Sequence, residues 1–179
     1  MNIYDRWQMQ SVVEALQTRR VAIISGARQC GKTTLARSIV TDKKNFRSLD
    51  NHTLLQAAQF DPVAFVRHDG GTLLIDEVQK VPQLISAIKM LVDENNAPGQ
   101  FLLTGSSNIY NNPEISESLA GRVSNIRLRP LSVGEILGAR PDFLFRSFNR
   151  DWASNFSGFD KRDILAAAFR GGYPEAAIF

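Results

Sequence analysis

One cysteine, Cys30, is all the sulfhydryl the chain has, so an internal disulfide is excluded and a reducing, cytoplasmic setting is expected. No apolar run approaches the roughly 18 residues of a membrane-spanning helix, so no membrane partner is expected. The opening residues Met1-Asn2-Ile3-Tyr4-Asp5-Arg6 lack the basic segment and apolar run of a secretory leader. Charge of one sign is also scarce. With 21 Lys and Arg against 18 Asp and Glu, the net charge of +3 permits contact with nucleic acid or an acidic partner but argues for neither. Internal repeats, low-complexity stretches and flexible linkers are missing. What remains, at 179 residues with 44% hydrophobic and 22% charged, is an ordinary globular composition with enough chain for one core of normal size.

Against that plain background one stretch is distinctive: Gly26-Ala27-Arg28-Gln29-Cys30-Gly31-Lys32-Thr33-Thr34. It follows the apolar run Val21–Ile24 and precedes Leu35–Val40, which gives strand, glycine-rich loop and helix. Gly26 and Gly31 let the loop bend so that backbone N–H groups converge on one anion. The helix starting near Lys32 adds its positive end. Lys32 supplies a mobile charge for β- and γ-phosphates, and the Thr33 hydroxyl is spaced to reach Mg²⁺. The plain alternative is a glycine turn that precedes a lysine; all fixed positions of the motif in the required strand–helix setting argue against it.

Gly70-Gly71 turns the chain into Leu73-Leu74-Ile75-Asp76-Glu77, an apolar run ending in two carboxylates. Such a strand delivers Asp76 to a metal shell as a hard oxygen ligand and leaves Glu77 to hold a water in line with the γ-phosphate. The alternative is an acidic strand end facing solvent. A third buried strand, Gln100–Thr104, ends in Gly105-Ser106-Ser107-Asn108, small polar residues at the ligand edge of a parallel sheet. Ser106 or Asn108 is positioned to bond the γ-phosphate or the attacking water, unless the segment is only a polar turn. Arg122, after Gly121 and before the strand Val123–Leu128, is a candidate to stabilise a transferring phosphoryl group in cis or from a neighbouring subunit. Capping the helix expected over 113–120 is its equally good alternative.

The rest of the chain reads as supporting structure. Helices are expected over 4–19, 53–60, 62–68 and 83–94, a strand over 46–50, and a last helix over 160–170 capped by Asp160 and stopped by Gly171. Tyr4, Arg6 and Trp7 are read either as neighbours of a nucleotide base or, more simply, as part of a helix covering a sheet edge. Asp50 faces the site or joins Asn51 in capping a helix. Ser132 and Glu135 have the spacing of a capping box. Residues 138–159 are aromatic-rich and without clear period.

Together Gly26–Thr33, Leu73–Glu77 and Leu102–Ser107 resemble the Walker A, Walker B and sensor-1 elements of AAA+-like P-loop ATPases. More narrowly, Ser25–Gln29 before Gly-Lys-Thr, Asp76–Pro82, Leu103–Ser107 and Leu119–Arg122 are similar to a prokaryotic group described as ATP-binding proteins, whose ATPase domain is followed by a second domain. The resemblance implies a three-layer α-β-α fold with a mainly parallel five-stranded sheet, in which the Ser106 strand lies between the loop strand and the Asp76 strand. It implies an ATPase domain over 1–135 and a helical extension over 136–179 that leads, through Gly171–Glu175, into a C-terminal domain. It also implies adenine, no guanine-reading Asn-Lys-x-Asp run being present. A helical lid with its own arginine has no clear counterpart here; Arg170 is the nearest.

The expected function is Mg²⁺-dependent ATP binding and hydrolysis used as a conformational switch. Gly26 to Thr34 would hold the nucleotide, Thr33 and Asp76 the metal, with Glu77, Lys32, Ser106 and Arg122 acting in catalysis. One alternative is a nucleotide-dependent regulatory or DNA-associated module with little turnover, for which Lys43-Lys44, Arg127 and Arg129 offer modest basic clusters. Another is a small-molecule kinase, against which the adjacent Asp76-Glu77 pair favours activation of water. A protein partner, a C-terminal domain and self-association are all left open.

Overall fold

The computed structural model describes residues 4–106, 119–149 and 160–177. They group into two units: Gln8–Arg129, and the residues before Gln8 together with those after Arg129.

The first unit is built on alternation. In β1 (Val21–Gly26) every residue is buried, as a strand covered on both faces requires. Val21 and Ile23 face one core while Ala22 and Ile24 face the other. The same division runs through β3 (Leu73–Asp76) and β4 (Phe101–Ser106): Leu73, Ile75, Phe101 and Leu103 on one side, Leu74 and Leu102 on the other. With β2 (Phe46–Ser48) and β5 (Val123–Leu128) these form a five-stranded sheet in the order β2-β3-β4-β1-β5. All its pairings are parallel. Helix α1 (Met9–Thr18) and α2 (Lys32–Ile39) cover one face through Val12, Ala15, Leu35 and Ala36. Helices α3 (His52–Phe60), α4 (Pro62–Val66) and α5 (Gln83–Glu94) cover the other through Ala58, Phe65, Val66, Leu84, Ile85 and Ile88. Each Leu or Ile fully buried in this way contributes about 1.5–3 kcal/mol relative to exposure. The result is the expected three-layer α-β-α fold, with β4 between β1 and β3.

Boundaries follow local chemistry. The Asn51 side chain accepts from Thr53 and Leu54 backbone N–H groups and starts α3. Asp61 accepts from the Ala64 N–H, and Pro62, which has no N–H to satisfy, opens α4. The first helix begins at Met9 and not near residue 4; the preceding Arg6 side chain and Trp7 backbone N–H are bonded to Glu135 instead. Of the helix expected over 113–120, residues 113–118 lie outside the described residues, as do Ser107 and Asn108, while Leu119 and Ala120 lie in a turn.

In the second unit, Ser132 and Glu135 form the expected capping box on a short helix, Val133–Ile136. Asp160 and Asp163 form another on Lys161–Arg170, which stops at Gly171 with φ +73°. The aromatic-rich segment read as irregular contains a helix, Phe143–Phe148, and residues 150–159 lie outside the description. Glu135 also binds backward across 129 positions. It accepts from Arg6 Nε at 3.0 Å and from the Trp7 backbone N–H at 3.0 Å. Tyr4 donates its hydroxyl to the Ala177 carbonyl and Trp7 its indole N–H to the Ala139 carbonyl.

Candidate functional site at the C-terminal edge of the sheet

In a parallel sheet all strands end on the same edge, so β1, β3 and β4 bring Gly26, Asp76 and Ser106 to one side. Gly26 and Ser106 are direct partners across the β1–β4 pairing. Gly26 has no room for a side chain: a Cβ there would meet the Leu128 carbonyl oxygen at 2.3 Å and Cys30 Sγ at 3.1 Å. The loop turns through two left-handed residues, Gln29 at φ +61° and Gly31 at φ +96°. Such a conformation is costly for Gln29 and natural for glycine. Cys30 is wholly buried beneath the loop, with Sγ 3.7 Å from the Leu128 carbonyl. Ala27 and Arg28 complete the bend, and Lys32 starts α2 with its first-turn N–H groups directed at the loop side.

Lys32 is buried, only 5% exposed, and its ammonium donates to the Ala27 carbonyl at 2.8 Å. The next residue makes the join to β3: Thr33 Oγ1 donates to Asp76 Oδ1 at 2.8 Å. Asp76, 3% exposed, also accepts from Thr104 at 2.5 Å and from Ser48 at 3.2 Å. Three hydroxyls from three different elements thus hold one carboxylate. A carboxylate and a threonine hydroxyl within 2.8 Å of each other form a hard-oxygen pair that suits Mg²⁺, an ion that binds through one or two protein oxygens and fills its shell with phosphate and water. Among the described residues no group of three or more His, Cys, Asp or Glu gathers as a self-sufficient metal cage.

Glu77 follows in the left-handed region, φ +59°, and begins a 3₁₀ turn, Val78–Lys80. Its backbone N–H donates to Thr104 Oγ1 at 3.1 Å, and its carboxylate accepts from the Gln79 side chain. Thr34 lies in the first turn of α2, one position beyond the residue bonded to Asp76.

Arg122 is not brought to this group. It precedes β5 at the opposite edge, where its carbonyl accepts from the Val21 N–H at the start of β1. A strand of six residues at about 3.3 Å each puts it roughly 20 Å from the loop. There its Nε and Nη2 bind both oxygens of Asp93 at 2.5 and 3.2 Å, and Arg20 approaches the same carboxylate at 3.7 Å. The hydrogen bond from Arg122 holds the Asp93 carboxyl below its ordinary pKa. A role in cis is therefore closed to Arg122 by topology. The Asp50 carboxylate is paired with Lys80 at 2.5 Å, and it is Asn51 that caps α3. A cavity of about 1230 Å³ also opens at that far edge, lined in part by Lys44, Arg47, Arg67 and His68, and none of the loop residues line it.

Sequence reasoning passed over Thr104 and Ser48. Thr104 carries a legible signal, since it lies two positions before Ser106 and so on the same face of the strand. Ser48 shows none until the β2–β3 pairing sets it opposite Asp76.

Over residues 18–137 the sequence matches the family described as AAA domain. Uncharacterized proteins of Mycobacterium bovis and Mycobacterium tuberculosis are each 32% identical over 164 residues, a match covering 89% of this chain and 35% of theirs. This chain thus spans about a third of the length of these curated relatives. Among solved structures, the Walker-type ATPase of Pyrococcus abyssi has a TM-score of 0.55 at 14% identity, covering 98% of this chain and 66% of that one. The Holliday junction branch migration motor of Thermotoga maritima has a TM-score of 0.51 at 20% identity, covering 98% and 60%. At these identities the likeness is one of fold. No helix among the described residues is long and apolar enough to cross a membrane. The parallel sheet, the loop at its edge and the family match agree: the chain belongs to the AAA-domain family and has the P-loop ATPase fold.

Proposed function

We propose that this chain binds ATP with Mg²⁺, hydrolyses it to ADP and phosphate, and uses the difference between the two bound states as a conformational switch. The observation that carries the reading is the 2.8 Å hydrogen bond from Thr33 to Asp76, which ties the phosphate-loop helix to the acidic strand end.

The roles follow from placement. Residues Gly26 to Thr34 wrap the polyphosphate with backbone N–H groups. Lys32 exchanges the Ala27 carbonyl for β- and γ-phosphate oxygens, a gain because a charged acceptor replaces a neutral one. Thr33 and Asp76 would hold Mg²⁺, which offsets charge on the phosphates when bound. Glu77 orients water and takes one of its protons as the water oxygen bonds to phosphorus and the bond to the ADP oxygen breaks. The Ser106 hydroxyl, beside Gly26, donates to the γ-phosphate and distinguishes ATP from ADP. Arg122 acts only in trans, from a neighbouring copy and after leaving Asp93. A cytoplasmic setting and a further domain or protein partner that receives the conformational change complete the proposal.

The test is a Glu77→Gln variant assayed for phosphate release and ATP binding, with the parent protein run in ¹⁸O-labelled water. The reading expects release to fall about 10²-fold or more, ATP binding to persist, and label to enter the phosphate. Undiminished release in the variant, or unlabelled phosphate, overturns it.

A further inference from the structure

Gln79 makes a hydrogen-bond arrangement that costs the fold something. The left-handed Glu77 and the 3₁₀ turn after it fold the Gln79 side chain back, so that Nε2 donates to Glu77 Oε2. The other end of the amide, Oε1, is buried and has no hydrogen-bond partner among the described residues. Reversing the amide would set its carbonyl oxygen against a carboxylate oxygen, so the donor must face Glu77. A buried acceptor without a donor is destabilising, and an apolar side chain of the same size would avoid that penalty. Among the described residues, the bond that gives this amide a purpose is the one to Glu77. The Glu77 backbone is separately fixed by its N–H donating to Thr104.

We propose that Gln79 is a positioning residue for hydrolysis: it holds one oxygen of the Glu77 carboxylate so that the other is presented to the attacking water. This rests on the hydrolytic reading of Glu77 given above. Gln79 acts through Glu77. Main chain and side chain of Glu77 are then held by two different residues, Thr104 and Gln79. That is what fixing a carboxylate on a turn requires.

The test compares the full natural chain with Gln79→Leu, Glu77→Ala and the double variant, measuring kcat, ATP affinity and melting temperature. Gln79→Leu is expected to lower kcat about ten- to a hundredfold, to leave ATP affinity unchanged, and to melt at the same temperature or higher. In the Glu77→Ala background it is expected to change kcat no further. Unchanged kcat in Gln79→Leu, a fall that tracks lost affinity or a lower melting temperature, or a further fall beyond Glu77→Ala would each overturn the proposal. The two readings fail separately. A Glu77→Ala variant as fast as the parent removes the hydrolytic role of Glu77 and the Gln79 proposal with it. A slow Glu77→Ala beside a fast Gln79→Leu removes only the latter.

Discussion

Thr104 bonds to Asp76 at 2.5 Å, and the same hydroxyl accepts the backbone N–H of Glu77 at 3.1 Å. One oxygen on β4 therefore fixes both members of the acidic pair that ends β3. Replacing Thr104 by Val keeps the shape but leaves the Glu77 N–H without its acceptor and takes one donor from Asp76. The cost in stability is expected to be about 1–3 kcal/mol, read by chemical denaturation. Phosphate release should fall more than ATP affinity does, since Glu77 loses its anchor while the loop is untouched. Full stability and full turnover would show that this hydroxyl does not organise the pair.

Arg122 illustrates how topology limits a candidate. Its ion pair with Asp93 sits at the edge of the sheet opposite the loop. Arg122→Ala should leave ATP affinity of the dilute protein unchanged, as measured by titration. Any loss of hydrolysis should appear only at concentrations where copies associate. A weakened ATP affinity in the monomer would contradict the placement.

Glu135 joins sequence positions that are far apart. Burial alone pushes its carboxyl pKa up, but hydrogen bonds from the Ser132 and Trp7 backbone and from Arg6 outweigh it and leave the group below its ordinary value. A depressed folded-state pKa stabilises above the unfolded value, about 4.3, and that stability is lost as the pH falls through the lower folded value. Both partners are buried, with side chains 7% and 3% exposed. Glu135→Ala should cost about 1–3 kcal/mol at neutral pH, because it removes the buried acceptor of the Arg6 side chain and of the Trp7 and Ser132 backbone N–H groups. It should also flatten stability below pH 5, followed by tryptophan fluorescence. An unchanged acid limb in the variant would count against this assignment.

These three cases show what a sequence displays and what it hides. Helix α5 was expected over 83–94 and β5 over 123–128, and both are found there. Periodicity is a local property, and these segments have clean period and clear ends. The loop was legible because glycine, lysine and threonine at fixed spacing report their own backbone geometry. Long-range partners leave no such trace: Arg6 and Glu135 are 129 positions apart. Asp50 was a reasonable candidate by charge, yet β2 stops at Ser48, and the following turn sends Asp50 to Lys80 while Ser48 reaches Asp76. Helix Phe143–Phe148 escaped notice because Phe143, Leu144, Phe145 and Phe148 are apolar on neighbouring positions and show no polar stripe to set the period.

The central claim is that Lys32, Thr33 and Asp76 form one polyphosphate site. Titration of the full natural chain with ATP, with and without Mg²⁺, beside Lys32→Ala and Asp76→Asn, tests it most directly. The account predicts saturable ATP binding by the parent that tightens with Mg²⁺. Lys32→Ala should lower affinity at least tenfold, an effect of about 1.4 kcal/mol. Asp76→Asn should lose the Mg²⁺ dependence while keeping metal-free binding. Failure of the parent to bind ATP, or equal Mg²⁺ dependence in parent and Asp76→Asn, would contradict it.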